Sequence, residues 1–229
     1  MSFNIAIDGP SGVGKSTIAK KLARDLNFVY IDTGAMFRGL AVYFLENNLD
    51  IDDEIAICDA VEQARETIDY VDGEQHVFVN GVDVTDKLRT EAVSRAASVT
   101  SQYIPVRKKL LEMQREMAEI QDVIMDGRDI GTVVLPNAHL KIYMVARPEV
   151  QAQRRYDQLK ESGKLADATF ESILADIRER DYRDSHRENA PLRKADDAFE
   201  IDTSDFTIEE VLNKIKEHFE RTRGESENA

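Results

Sequence analysis

Phe3-Asn4-Ile5-Ala6-Ile7 leads into Asp8-Gly9-Pro10-Ser11-Gly12-Val13-Gly14-Lys15-Ser16, and the fold turns on how that stretch is read. The apolar run predicts a buried strand entering a turn. From Ser16 to Leu26 the residues Ile18, Ala19, Leu22, Ala23 and Leu26 fall at helical spacing, so a helix opens where the turn ends. Gly9 to Ser16 fits G-x-x-x-x-G-K-[ST] in the strand–loop–helix context that gives this motif meaning. Glycines at 9, 12 and 14 let the backbone curl so that its N–H groups face a phosphate chain, and the helix N-terminus adds partial positive charge. Lys15 can reach β- and γ-phosphates, and the Ser16 hydroxyl can ligate Mg²⁺. The expectation is a nucleoside triphosphate held by Gly9, Pro10, Ser11, Gly12, Val13, Gly14, Lys15, Ser16 and Thr17.

Working outward, Phe28-Val29-Tyr30-Ile31 reads as a second strand, followed by helices over 35–47 and about 52–67. The pattern then alternates with period 2 from Ile68 to Val84, around Asp72-Gly73 and Asn80-Gly81, which predicts a small antiparallel meander inserted into an α/β chain. Helical spacing resumes after Pro105, with Val106, Leu110, Met113, Met117 and Ile120 as the apolar stripe. Strands are predicted over 122–126, 140–145 and 199–201, and helices over about 149–161 and 169–189. Thr207 with Glu210 makes a capping box for a last helix striped by Ile208, Val211, Leu212, Ile215 and Phe219, and the polar tail from Thr222 is expected to fray. Strands alternating with helices imply a mostly parallel sheet covered on both faces. Asp126, at the tip of its strand, is the carboxylate expected to hold Mg²⁺ through water.

The 229 residues, 42% hydrophobic and 32% charged, suffice for one α/β domain with a small insert. Nothing approaches the run of about 18 apolar residues that a membrane span needs. No basic region followed by an apolar stretch opens the chain, so no signal peptide is expected. The single cysteine, Cys58, fits a reducing compartment and is expected as a buried small hydrophobe. The expected location is the cytoplasm. A net charge of −14 argues against nucleic-acid partners. Between Arg147 and Lys194, however, 11 basic and 10 acidic residues leave +1, against −15 elsewhere. That stretch collects cations suited to an anionic small molecule.

No N-K-x-D tetrapeptide for reading guanine occurs. Three clusters could instead form a second anion pocket. Thr33 offers a hydroxyl at a helix start, with Arg38 as a fork donor for a monophosphate. Asp126-Gly127-Arg128-Asp129-Ile130-Gly131-Thr132 sets Arg128 and Asp129 in a loop at the C-terminal end of a strand, where open parallel sheets bind ligands. Arg180, Arg183, Asp184 and Arg187 share one helical face. A kinase for another monophosphate or a small hydroxylated metabolite, a non-catalytic nucleotide sensor and a nucleic-acid-dependent ATPase remain open as alternatives at this point.

Asp-Gly-Pro-Ser-Gly-Val-Gly-Lys-Ser (8–16), Asp-Thr-Gly-Ala-Met-Phe-Arg (32–38), Asp-Gly-Arg-Asp-Ile-Gly-Thr-Val-Val (126–134) and Ala-Pro-Leu-Arg-Lys-Ala-Asp-Asp-Ala (190–198) together resemble bacterial cytidylate (CMP/dCMP) kinases, over about residues 3 to 219. The resemblance implies an adenylate-kinase-like P-loop core with a central, mostly parallel five-stranded sheet over 1–61 and 95–229. It also implies a short helical lid at about 150–185 and a CMP-binding insert at 62–94. It assigns the CMP phosphate to Thr33, Arg38 and Arg128, the cytosine to Ser98, Arg107 and Asp129, and the sugar to Arg180 and Asp184, with Arg187 lining the pocket. Arg154 and Arg155 would meet ATP phosphates, and Lys15, Arg128 and Arg180 would stabilise the transferring group. An Asp129 carboxylate can accept from the cytosine N4 amino group, which uracil lacks. Phe37 stands where many relatives carry Tyr, which removes a hydroxyl. ATP and CMP or dCMP are the implied substrates, Mg²⁺ the implied cofactor and a monomer the default.

Overall fold

The computed structural model describes residues 2–227. The central sheet has five parallel strands in the order β2-β6-β1-β7-β8: β1 (Asn4–Asp8), β2 (Val29–Asp32), β6 (Val123–Gly127), β7 (Leu140–Val145) and β8 (Phe199–Asp202). β1 pairs in parallel with β6 on one side and β7 on the other, so it reads as a continuous apolar run with Ile5, Ala6 and Ile7 fully buried. The antiparallel meander forms the second sheet, β3 (Glu66–Val71), β4 (Glu74–Val79) and β5 (Val82–Asp83). Its two tight turns put Asp72-Gly73 and Asn80-Gly81 all at positive φ, which the Asx-Gly pairs accommodate.

The chain divides into two compact units. The first comprises 1–29 and 122–229. In it α1 (Lys15–Leu26) follows the glycine loop and α8 (Ile208–Glu227) packs near it, with Leu22, Ile124, Met125, Met144 and Phe219 in the core. α6 (Pro148–Glu161) and α7 (Phe170–His186) pack on each other through their own small core of Ala152, Ile173 and Ile177. The second unit, 30–121, is organised around α2 (Thr33–Glu46), whose Met36, Leu40 and Phe44 are fully buried. α3 (Glu54–Gln63), α4 (Glu91–Thr100), α5 (Ile104–Ile120) and the meander complete it.

Several expectations give way. α3 ends at Gln63, not at Thr67, because the Arg65 N–H and C=O are taken by the Asn80 side chain and N–H as β3 begins. On α5 the buried stripe is Val106, Leu110, Gln114 and Ala118, a four-residue step, so Ile120 is exposed. Gln114 is tolerated inside because its amide donates to the Met36 sulfur at 3.8 Å. α4 was not anticipated; its buried side is mostly small, Ala96, Ala97 and Ser98, and carries little hydrophobic signal. The helix expected to reach residue 189 stops at His186, and the last helix continues past Thr222 to Glu227 instead of fraying. Residues 228 and 229 of the expected tail lie outside the described residues. Cys58 is half-buried, not buried. Among the described residues no helix is long and apolar enough to cross a membrane.

Candidate active site

In the first unit, β1 delivers the chain into the glycine loop against β7. A side chain at Gly9 (φ +147°) would put its Cβ 2.0 Å from the Met144 carbonyl oxygen, so only glycine fits. Gly14 ends the loop in the left-handed region and starts α1 without a side-chain cap, leaving the first N–H groups of the helix for a ligand. Lys15 is buried, its Nζ donating to the Pro10 carbonyl at 2.6 Å. Burial, with the charges of Arg128 and Arg180, pushes its ammonium down to about 7 against the opposing pull of Asp126 and Asp8. The Ser16 hydroxyl donates to Asp126 Oδ2 at 2.8 Å. One hydroxyl beside one buried carboxylate suits Mg²⁺, which takes few protein oxygens and fills the rest of its octahedron with water and phosphate.

Two acids unmarked by the motif reading hold this corner. Asp8 accepts from the Ile130 and Gly131 N–H groups at 2.8 and 2.7 Å, which ties the turn after β6 to β1. Burial raises its carboxyl to about 7 although both donors hold it down. Asp181 on α7 accepts from the Ser11 N–H at 3.3 Å, so a carboxylate touches a loop built for phosphate. Burial raises the Asp181 carboxyl, opposed by Ser11 and Arg128.

α7 and the residue that ends it also meet the loop after β6. Arg128 Nε donates to Asp184 Oδ2 at 2.9 Å, and Arg187 reaches Asp129 Oδ1 at 3.5 Å. Burial alone would raise the Asp184 carboxyl, yet Arg128, Arg180 and Arg187 hold it below its ordinary value. Arg180, Asp184 and Arg187 therefore converge with Arg128 and Asp129. Arg183 does not: it pairs with Glu179 at 3.4 Å.

In the second unit, Asp32 caps α2 by accepting from the Ala35 N–H at 2.8 Å and also accepts from Arg38 at 3.0 Å. Thr33, the first residue of α2, is buried. Gln75 of the meander grips this turn from both sides, its Oε1 accepting from the Asp32 N–H at 2.7 Å and its Nε2 donating to the Asp32 carbonyl at 3.2 Å. Sequence reasoning missed it, because a contact 43 residues away leaves no local signal. Ser98 on α4 is buried, and its hydroxyl oxygen meets no hydrogen-bond partner among the described residues, as a ligand-facing group would. Arg107 donates to the Ser101 carbonyl at 3.1 Å and lies 5.5 Å over the Phe37 ring, so Phe37 supports a predicted site arginine by cation–π contact.

The two arginines of α6 diverge. The Arg154 guanidinium donates to Thr203 Oγ1 at 3.1 Å, to the Thr203 carbonyl at 2.6 Å and to the Val13 carbonyl at 3.4 Å. Arg155, one residue on, is exposed and donates to Gln158.

A parallel α/β sheet whose first strand runs through a glycine loop into an uncapped helix, with a Ser–Asp pair at the loop, defines a P-loop nucleotide-handling protein. The chain belongs to the cytidylate kinase family, whose profile matches residues 5–221. A cytidylate kinase of Lactobacillus johnsonii is 47% identical over 94% of this chain and 93% of its own, and one of Caldicellulosiruptor bescii 49% identical over 95% of each. A crystal structure of an uncharacterized protein from Eubacterium ventriosum matches with a TM-score of 0.52 at 14% identity, covering 96% of this chain and 99% of that one, a likeness of fold alone.

Proposed function

We propose that this chain transfers the γ-phosphate of ATP to CMP or dCMP, giving ADP and CDP or dCDP. Family membership across nearly the whole chain supports the reaction. The observation that carries the site is the seating of α7: Asp181 touches the Ser11 N–H of the loop, while Asp184, one turn on, holds Arg128. Arg128, one of the two arginines named for the acceptor phosphate, is thereby built into the unit that holds the donor loop, and Arg128 and Arg180 both act on Lys15.

In this reading the loop from Gly9 to Thr17 holds the ATP phosphates through backbone N–H groups and Lys15. Ser16, and Asp126 through water, would hold Mg²⁺, which when bound would neutralise charge on the phosphates. Arg128, Arg180, Asp184, Arg187 and Asp129 of the first unit and Thr33, Arg38, Ser98 and Arg107 of the second hold CMP. A CMP phosphate oxygen attacks the γ-phosphorus, the bond to the β–γ bridging oxygen breaks, and ADP leaves. No side-chain base is needed because the attacking oxygen is already anionic. Closure of α6 and α7 would exclude water and suppress ATP hydrolysis. Arg155, exposed on α6, would turn toward the phosphates on closure. The protein acts as a cytoplasmic monomer.

The test is an acceptor panel of CMP, dCMP, UMP, AMP, GMP and dTMP, read as ADP formed per acceptor. CMP and dCMP are expected to lead by at least about tenfold in kcat/KM, because a site built around the N4 amino group leaves Asp129 unsatisfied with UMP. Equal rates across the panel would sink the cytosine assignment, and no ADP with any acceptor would sink the kinase.

A further inference from the structure

A loop that binds phosphate through backbone N–H groups must keep the matching carbonyls turned away, because a carbonyl oxygen aimed at an anion repels it. In a planar trans peptide C=O and N–H point in opposite directions, so fixing the Val13 carbonyl fixes the Gly14 N–H. Gly14 sits at φ +94° with no Cβ contact within 4 Å, so sterics alone do little to stop that peptide from rotating. Something else must hold it.

Thr203, immediately after β8, is buried at 2% exposure. Its N–H already donates to the Val145 carbonyl at 2.8 Å. Its one hydroxyl proton has two acceptors in reach, the Val13 carbonyl at 3.0 Å and the Val145 carbonyl at 3.2 Å, and since the Val145 carbonyl already accepts the Thr203 N–H, Val13 is the nearer and less satisfied partner. The hydroxyl oxygen in turn accepts from Arg154, whose second nitrogen grips the Thr203 carbonyl at 2.6 Å. The guanidinium polarises the hydroxyl, which strengthens its bond to Val13. We propose that Thr203 is a positioning residue for nucleotide binding: with Arg154 behind it, it pins the Val13–Gly14 peptide so that the Gly14 N–H faces the triphosphate. Arg154, expected from the family resemblance to touch phosphate, acts through this clamp. The inference rests on the P-loop reading above and is independent of which acceptor is phosphorylated.

The test compares Thr203→Val, which keeps shape and loses the hydroxyl, with Thr203→Ser, which keeps the hydroxyl, both in the full chain. ADP binding by calorimetry is expected to weaken about tenfold in the Val variant, the worth of roughly one hydrogen bond, with the ATP KM rising in step. The CMP KM and kcat stay within about twofold, and Ser restores ADP affinity to within about twofold. Unchanged ADP affinity in Thr203→Val, or a CMP KM rising as much as the ATP KM, overturns the proposal. If the Val variant does not fold, Arg154→Lys decides: ADP affinity falls about threefold at constant kcat if the clamp operates, since lysine cannot fork across both Thr203 atoms. A lower kcat at constant ADP affinity instead makes Arg154 a ligand of the transferring phosphoryl and sinks the clamp. A wild-type chain that binds ADP but leaves CMP untouched refutes the functional reading while the Thr203 comparison stands.

Discussion

Two strand-to-helix corners, β1 into α1 and β2 into α2, solve the same local problem by opposite means. At Gly14 the helix starts with no side chain on its N–H groups, and the loop is shaped by main-chain contacts, Gly9 against the Met144 carbonyl and the Val13 carbonyl on Thr203. At Asp32 the helix is capped by its own preceding carboxylate, which also holds Arg38. The first corner offers a bare helix terminus to an anion. The second has already used that capacity, so an anion there must be met by side chains, by the Thr33 hydroxyl and the Arg38 fork. A main-chain cradle recognises phosphate of any nucleotide; a side-chain cradle can be specific.

The contrast breaks most sharply at Lys15, the cationic side chain of the main-chain cradle. Lys15→Ala is expected to cut kcat by about a thousandfold, the scale of losing a charge that stabilises the transferring group. The melting temperature should not fall, because the variant removes a buried ammonium whose burial already pushes it toward neutrality. Steady-state ADP production beside a melting curve measures both. Turnover near wild type would mean that backbone N–H groups alone suffice.

The same contrast explains what the sequence disclosed. The donor corner is legible because glycine spacing encodes backbone shape directly, and Asx-Gly pairs disclose the meander for the same reason. The acceptor corner is half legible: Thr33 and Arg38 stand out, while the Gln75 grip on Asp32 and the Arg107–Phe37 contact join distant segments through single side chains. Arg154 shows the limit from the other side. Its place on a helix was readable, but its partners are the Thr203 hydroxyl and the Thr203 and Val13 carbonyls, and no residue type announces a main-chain contact. Asp8 and Asp181 escaped notice because a lone acid carries no pattern until the fold supplies its donors.

Gly34 tests the acceptor corner by adding a side chain. A Cβ there would lie 2.9 Å from Arg38 Nη1 and 3.1 Å from Asp32 Oδ1, too close for the guanidinium to stay on its carboxylate. The clash is with the flexible end of Arg38, and alanine favours a helix over glycine by about 1 kcal/mol, so stability should hold or rise. Gly34→Ala is expected to raise the CMP KM about tenfold, one displaced charge-assisted hydrogen bond, with the ATP KM unchanged. A matching rise in both would show that the two corners are not held independently.

The smallest effect concerns how the two units treat buried acids. In the first unit Asp8, Asp126 and Asp184 each accept from a named donor. In the second, Glu66 is 4% exposed beneath Gly39, with the Leu40 N–H turned toward its carboxyl but no side chain among the described residues donating to it. Burial raises its carboxyl well above the ordinary 4.5, with Lys109 and the Leu40 N–H pulling only weakly the other way. The folded chain thus keeps a proton that the unfolded chain has lost, so stability is greatest below about pH 4.5 and declines as pH rises toward the folded value. Glu66→Gln has no proton to lose. Relative to wild type its melting temperature should rise steadily as the pH is taken from 5 to 8. Titrations shared by both proteins cancel in that difference. Parallel melting curves across the range would mean that Glu66 is ionised in the fold after all, with Lys109 closer to it in solution. The second unit would then treat its buried acid as the first does, by pairing it.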